Sequence, residues 1–153
     1  MSRQIAFAID PCSDEAKRTI EWSKQNFLRS EDEIHAIMIL VMDSEFLDDQ
    51  EDPIELPPTD SFKEIEKEMT AEKVNAMNEI VKDMERSGYQ VITHVFKTDS
   101  SHACTVLIDY LNSKSMDCLI MGSRNLLGWK RFFMGSFSDY VQCHVNCPVL
   151  IIK

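Results

Sequence analysis

The chain has 153 residues, 44% of them apolar, with 16 Lys and Arg against 26 Asp and Glu and a formal charge of −10. That length suits one domain with a real core, and such acidity excludes a protein built chiefly to grip a nucleic-acid backbone, which needs Lys and Arg clustered on one face. The acidity is local: eight acidic residues and no basic one lie between Asp43 and Asp60, so this window carries −8 of the total.

No run approaches the roughly 18 to 20 apolar residues of a membrane span, and the N-terminus lacks the basic-then-apolar pattern of a signal peptide. Cys12, Cys104, Cys118, Cys143 and Cys147 are odd in number. Without an export signal they read as reduced thiols, so a cytoplasmic location is expected.

Gln4 to Ile9 is a short apolar run stopped by Asp10-Pro11, the pattern of a strand buried on both faces. Ser13 offers an N-cap, with Asp14 and Glu15 in the favourable first turn, for a helix to about Leu28. Ile34 to Met42 is a second buried strand. The acidic window from Asp43 to Asp60 contains Pro53, Pro57 and Pro58 and no apolar period, which predicts a flexible loop within the domain.

From Asp60 to Ser87 the positions Ile65, Met69, Ala76, Met77, Ile80, Val81 and Met84 share one side of a 3.6-residue period, and Gly88 supplies a C-cap. Tyr89 to Phe96 reads as a third strand. Ala103, Val106, Leu107, Tyr110 and Leu111 mark another amphipathic helix, and Asp117 to Met121 a fourth strand. A Gly-containing loop over residues 122–135 leads to a helix carrying Phe137, Tyr140, Val141, His144 and Val145 on one face. Pro148 to Ile152 closes the chain as a strand. Five strands alternating with four helices predict a single α/β domain over residues 1–153, with one parallel sheet covered on both faces.

Three of the four glycines, Gly122, Gly128 and Gly135, fall within fourteen residues, directly after a buried strand and before a helix. Glycine permits positive φ and close approach of main chain to a ligand, and a helix start offers free N–H groups to an anion. The chain there reads Gly122-Ser123-Arg124-Asn125, nine further residues, then Gly135-Ser136-Phe137-Ser138, and it ends in Asn146-Cys147-Pro148-Val149-Leu150-Ile151-Ile152-Lys153. This resembles the universal stress protein family, whose nucleotide-binding members carry Gly, two residues, Gly, nine residues, Gly and then Ser or Thr. Asp10 at the end of the first strand and Val41-Met42-Asp43 at the end of the second extend the resemblance over almost the whole chain.

The resemblance implies an open five-stranded parallel sheet in the order 3-2-1-4-5 with helices on both faces, an adenine nucleotide alpha-hydrolase-like or flavodoxin-like sandwich. It implies adenine and ribose contacts at Ala8, Ile9, Asp10 and Val41, with Gly122 by the ribose. Arg124, Asn125, Gly135, Ser136, Phe137 and Ser138 would surround the phosphates. The bound species would be ATP or AMP, with Mg²⁺ where a polyphosphate needs it, and the protein a sensor or regulator of stress responses rather than a fast enzyme. Two copies would pair through the strand Val149 to Ile152, with a further protein as downstream partner.

These residues also have plainer readings. Asp10 can accept from ribose hydroxyls or an adenine amino group, or equally satisfy N–H groups at a helix start. Ser136 and Ser138 can hold phosphate or cap their helix, and the two are compatible. Between Gly122 and Lys153 four basic residues face Asp139 alone, which favours an anionic ligand. Asn125 departs from the pattern, standing where it has its second Gly, and Pro11 removes a backbone donor from the first loop. The alternative is therefore a nucleotide-independent dimeric interaction module of the same family; a flavin or redox carrier ranks below both. There is no Walker loop, no Gly-x-Gly-x-x-Gly fingerprint, no assigned catalytic residue and no four-ligand metal set around Cys143, His144 and Cys147.

Overall fold

The computed structural model describes residues 2–41, 60–99, 101–122 and 136–153. Five strands, β1 (Gln4–Ala8), β2 (Glu33–Val41), β3 (Gln90–Thr98), β4 (Cys118–Gly122) and β5 (Val149–Ile152), alternate with four helices, α1 (Asp14–Asn26), α2 (Asp60–Arg86), α3 (Ala103–Ser113) and α4 (Ser136–His144). Every strand pair is parallel and the order is β3-β2-β1-β4-β5, as expected.

The apolar runs form strands because both of their faces are covered. Ile5, Phe7, Ile34, Met38 and Ile120 point into a layer closed by Ala16 and Ile20 of α1 and by Met77, Ile80 and Met84 of α2. The alternate residues Ala6, Ala8, Ile37, Ile39, Leu119 and Met121 point into a second layer, closed by Leu107 and Leu111 of α3 and Phe137 and Val141 of α4. Central strands facing two helical layers have no solvent side, so polar alternation disappears from their sequence.

Local chemistry sets the ends. The Ser13 side chain caps α1 by accepting the Ala16 N–H at 3.2 Å. Gly88, at φ 95°, takes the left-handed position after α2, while Tyr89 N–H reaches back to the Met84 carbonyl at 3.2 Å. Strand ends differ from the sequence expectation by a residue or two. The one that matters is Gly122, expected in the loop but held in β4 by pairing with Ile152. The segment 43–59 lies outside the described residues; Asp60 is the first residue of α2.

Candidate functional site at the β1 and β4 ends

An open parallel sheet forms a ligand crevice where adjacent strands send their connections to opposite faces. Here that place is between β1 and β4, since α1 packs in one helical layer and α4 in the other. Ala8, the last residue of β1, pairs with Met121 of β4 and Ile37 of β2. Ile9 N–H donates to the Ile37 carbonyl at 3.2 Å, one step further on. β2 and β3 continue to the Val41–Thr98 pair, four residues beyond Ile37, or roughly 13 Å at the rise of a strand. The carboxyl edge of the sheet is therefore stepped: low at β1 and β4, walled by the longer β2 and β3.

Asp10 stands on this step. Its carbonyl accepts the Ser13 N–H at 3.1 Å and the Ser13 hydroxyl at 2.8 Å, which winds residues 10–13 into the start of α1. The side chain is only 8% exposed. Oδ1 accepts the Cys12 N–H at 3.2 Å and lies 3.9 Å from Nζ of Lys73, a residue of α2. The helix-start role expected of Asp10 is thus real, but both contacts fall on one oxygen. Oδ2 makes no hydrogen bond to the described residues. It is a nine-tenths buried carboxylate with an acceptor left over.

Next to it, Gly122 ends β4 against α1. A Cβ there would lie 3.3 Å from both Cγ and Cδ of Glu15 and 3.5 Å from Oγ1 of Thr19. Gly122 thus makes room for the Glu15 and Thr19 side chains of α1 and does not serve a positive φ. Glu15 is itself only 9% exposed, so a second carboxylate-bearing side chain packs at the step. Across the sheet α4 begins at Ser136, and Phe137 is buried in the same core layer as Ala8 and Met121. The Phe137 ring is therefore a packing group. Ser138, in the first turn, is buried as well. Burial, then the carboxylates of Asp10 and Glu72, push the Cys12 thiol up, so it is no activated nucleophile.

The step therefore brings together Ala8, Ile9, Asp10 and Gly122, with Val41 higher on the β2 wall and the start of α4 on the far face. Arg124, Asn125 and Gly135 lie outside the described residues. The sequence profile of the universal stress protein family matches residues 1–153. The chain belongs to that family. A universal stress protein A-like protein of Arabidopsis thaliana is 26% identical over 140 residues, which is 90% of this chain and 77% of the plant protein. Universal stress protein MJ0531 of Methanocaldococcus jannaschii is 24% identical over 98 residues, 64% of this chain and 56% of the archaeal one. The chain thus spans little more than half of that relative.

Solved structures agree on the fold. Hypothetical protein MJ0577 superposes with a TM-score of 0.73 at 21% identity, covering 100% of this chain and 96% of that one. The universal stress protein from Archaeoglobus fulgidus in complex with dAMP gives 0.61 at 17% identity, covering 100% and 98%. A universal stress protein in complex with cAMP gives 0.63 at 13% identity, covering 99% and 97%.

In this universal stress protein, Lys73, Glu15 and Thr19 are site neighbours that sequence reasoning did not single out. Glu15 and Thr19 carry a faint signal, being polar at i and i+4 on a helix whose Ala16 and Ile20 form its apolar face. Lys73 carries none, because nothing in its neighbourhood along the chain marks it apart from the other lysines of a charged helix. No helix among the described residues is long and apolar enough to cross a membrane.

Proposed function

We propose that this universal stress protein binds an adenine nucleotide, ATP or AMP, on the step between β1 and β4, and serves as a homodimeric sensor whose occupancy governs a partner protein. The observation that carries this reading is Asp10: its Oδ2 is an ionisable acceptor without a hydrogen-bond partner among the described residues, held nine-tenths buried at the switch point. Desolvated acceptors of this kind are kept where a ligand donates to them. The two universal stress proteins of like fold whose structures are complexes with dAMP and with cAMP support an adenine nucleotide as the occupant.

In this reading Asp10 accepts from the ribose hydroxyls, Ala8, Ile9 and Val41 border the base, and Gly122 leaves room beside the sugar. The start of α4, with Gly135, Ser136, Phe137 and Ser138, offers main-chain N–H groups and hydroxyls to phosphate oxygens at the positive end of a helix. Arg124 and Asn125 border the phosphates, Arg124 adding positive charge. Mg²⁺ would be held by phosphate oxygens and water, as is usual for this ion. The work of the site is recognition rather than turnover.

The dimer reading rests on β5. It is the sheet edge next to β4, and all four of its residues are only half-buried in the isolated chain. A short apolar edge of that kind is commonly covered by a second strand. Binding is tested by following amide resonances of nucleotide-stripped protein as ATP and Mg²⁺ are added. Saturable shifts at Asp10, Gly122 and residues 136–138, lost in Asp10→Ala, are expected. Shifts confined to other surfaces would overturn the placement.

A further inference from the structure

Asp10 is not alone on the step, and what faces it comes from an element outside the strand-end pattern. Lys73 lies in the second of the two helices on that side of the sheet, 63 residues away in sequence, yet its ammonium lies 3.9 Å from Asp10 Oδ1. The Lys73 side chain is only 20% exposed, so most of its stem is packed and its head is held at the step. Its charge also reaches the Cys12 thiol, where it opposes Asp10 and Glu72. The cation therefore sits over the turn that joins β1 to α1.

A carboxylate in a crevice can rotate about its last bond and present either oxygen. In Asp10 the Cys12 N–H donates to Oδ1, and the Lys73 ammonium makes its nearest approach, 3.9 Å, to the same oxygen. That pairing biases the rotation, so the other oxygen is the one offered to a ligand. A fixed, nine-tenths buried acceptor discriminates between a ligand that donates two neighbouring hydroxyls and one that has none, because a buried acceptor left unmet costs more than the contact itself is worth.

We infer that Lys73 is a positioning residue for ribose selection: by holding Asp10 Oδ1 it turns Oδ2 into a preorganised acceptor for the vicinal hydroxyls of a ribonucleotide. The inference rests on the nucleotide reading above and deepens it. Lys73 acts through Asp10 and requires no contact with the nucleotide.

The test compares binding of ATP and of 2′,3′-dideoxy-ATP to the wild-type chain, Lys73→Met and Lys73→Arg, with thermal unfolding as a check of folding. The wild type should prefer ATP by roughly tenfold or more, the discrimination typical of hydrogen bonds to a charged group. In Lys73→Met that preference should fall to about twofold while dideoxy-ATP affinity stays nearly unchanged, and Lys73→Arg should restore most of it. An equal preference in Lys73→Met and wild type would overturn the positioning role while leaving nucleotide binding intact. A parallel loss for both nucleotides would overturn it too, since that is the behaviour of a cation serving phosphate. A folded wild-type protein that takes up neither nucleotide would refute the binding reading itself, and this inference with it.

Discussion

Replacing His94 by Phe keeps an aromatic ring on β3 but removes its nitrogens, and the structure specifies what is lost. His35 Nε2 faces Gln4 Oε1 at 2.6 Å and Glu33 Oε1 at 3.2 Å, so it must carry the proton and donate. With that proton on Nε2, His35 Nδ1 accepts from His94 Nε2–H at 3.1 Å; the Tyr110 hydroxyl oxygen lies 2.8 Å from the same nitrogen. The two imidazoles are nearly parallel, with centroids 5.4 Å apart. A Phe ring can repeat the stacking but not the donation. Because His35 is 8% exposed, its Nδ1 would be left buried and unpaired, at a cost of about 1–3 kcal/mol. For a chain of this size that is roughly 3–10 °C in Tm.

The same substitution should remove a pH dependence. Burial, then the charges of His35 and Lys114, hold His94 below its ordinary value of 6.5. The unfolded chain therefore takes up the proton first, and acid favours unfolding. This part of the stability is complete above about pH 6.5 and is lost as pH falls through the lower folded-state value. Urea unfolding of both proteins at pH 7.5, 6.5 and 5.5 measures it. The wild type should be the more stable at pH 7.5, with the gap narrowing toward pH 5.5. A gap independent of pH, or a variant as stable as wild type at pH 7.5, would refute the proton assignment across the Glu33, His35, His94 and Tyr110 cluster.

Asp32 is 2% exposed and accepts from Arg3 Nε at 2.9 Å, Arg3 Nη2 at 2.6 Å and the Arg29 N–H at 2.8 Å. Asp32→Ala should therefore cost about 3 kcal/mol in urea unfolding at neutral pH. Burial raises the Asp32 carboxyl, but Arg3 and the Arg29 N–H outweigh it and leave it below 3.8, so this stabilisation is full above that pH and fades as pH falls through the folded value. Gly122→Val should lower stability by about 1–3 kcal/mol, read by thermal unfolding, because its methyls must displace Glu15 and Thr19. Light scattering at micromolar concentration should give twice the chain mass; a monomeric mass would contradict pairing through β5.

The buried runs of β1, β2 and β4 were plain in the sequence because a strand covered on both faces has no polar positions to hide it. The end of α2 was equally plain from Gly88, and the start of α1 from Ser13. Gly122 reads as loop from its own propensity, and its strand character comes from pairing with Ile152, thirty residues on. The same is true of the site. Asp10 was legible as a polar residue ending an apolar run, whereas Lys73 meets it only because α2 packs in the same layer as α1. His35 and His94 meet only because β2 and β3 run parallel in a register that sets His35 opposite Ile92 and Ile37 opposite His94. The order of the sheet, which decides all of these meetings, was available from the family resemblance and not from periodicity.

The central claim is that a nucleotide occupies the step with its phosphates at the start of α4. Calorimetric titration of nucleotide-stripped protein with ATP and Mg²⁺, repeated on Ser136→Asp, tests it most directly, because a carboxylate there sets negative charge against the phosphates. Saturable micromolar binding by the wild type, lost in Ser136→Asp while that variant remains folded, is the predicted result. No heat and no competition with labelled ATP in the wild type would contradict the claim and turn attention to the chain as a nucleotide-independent interaction module.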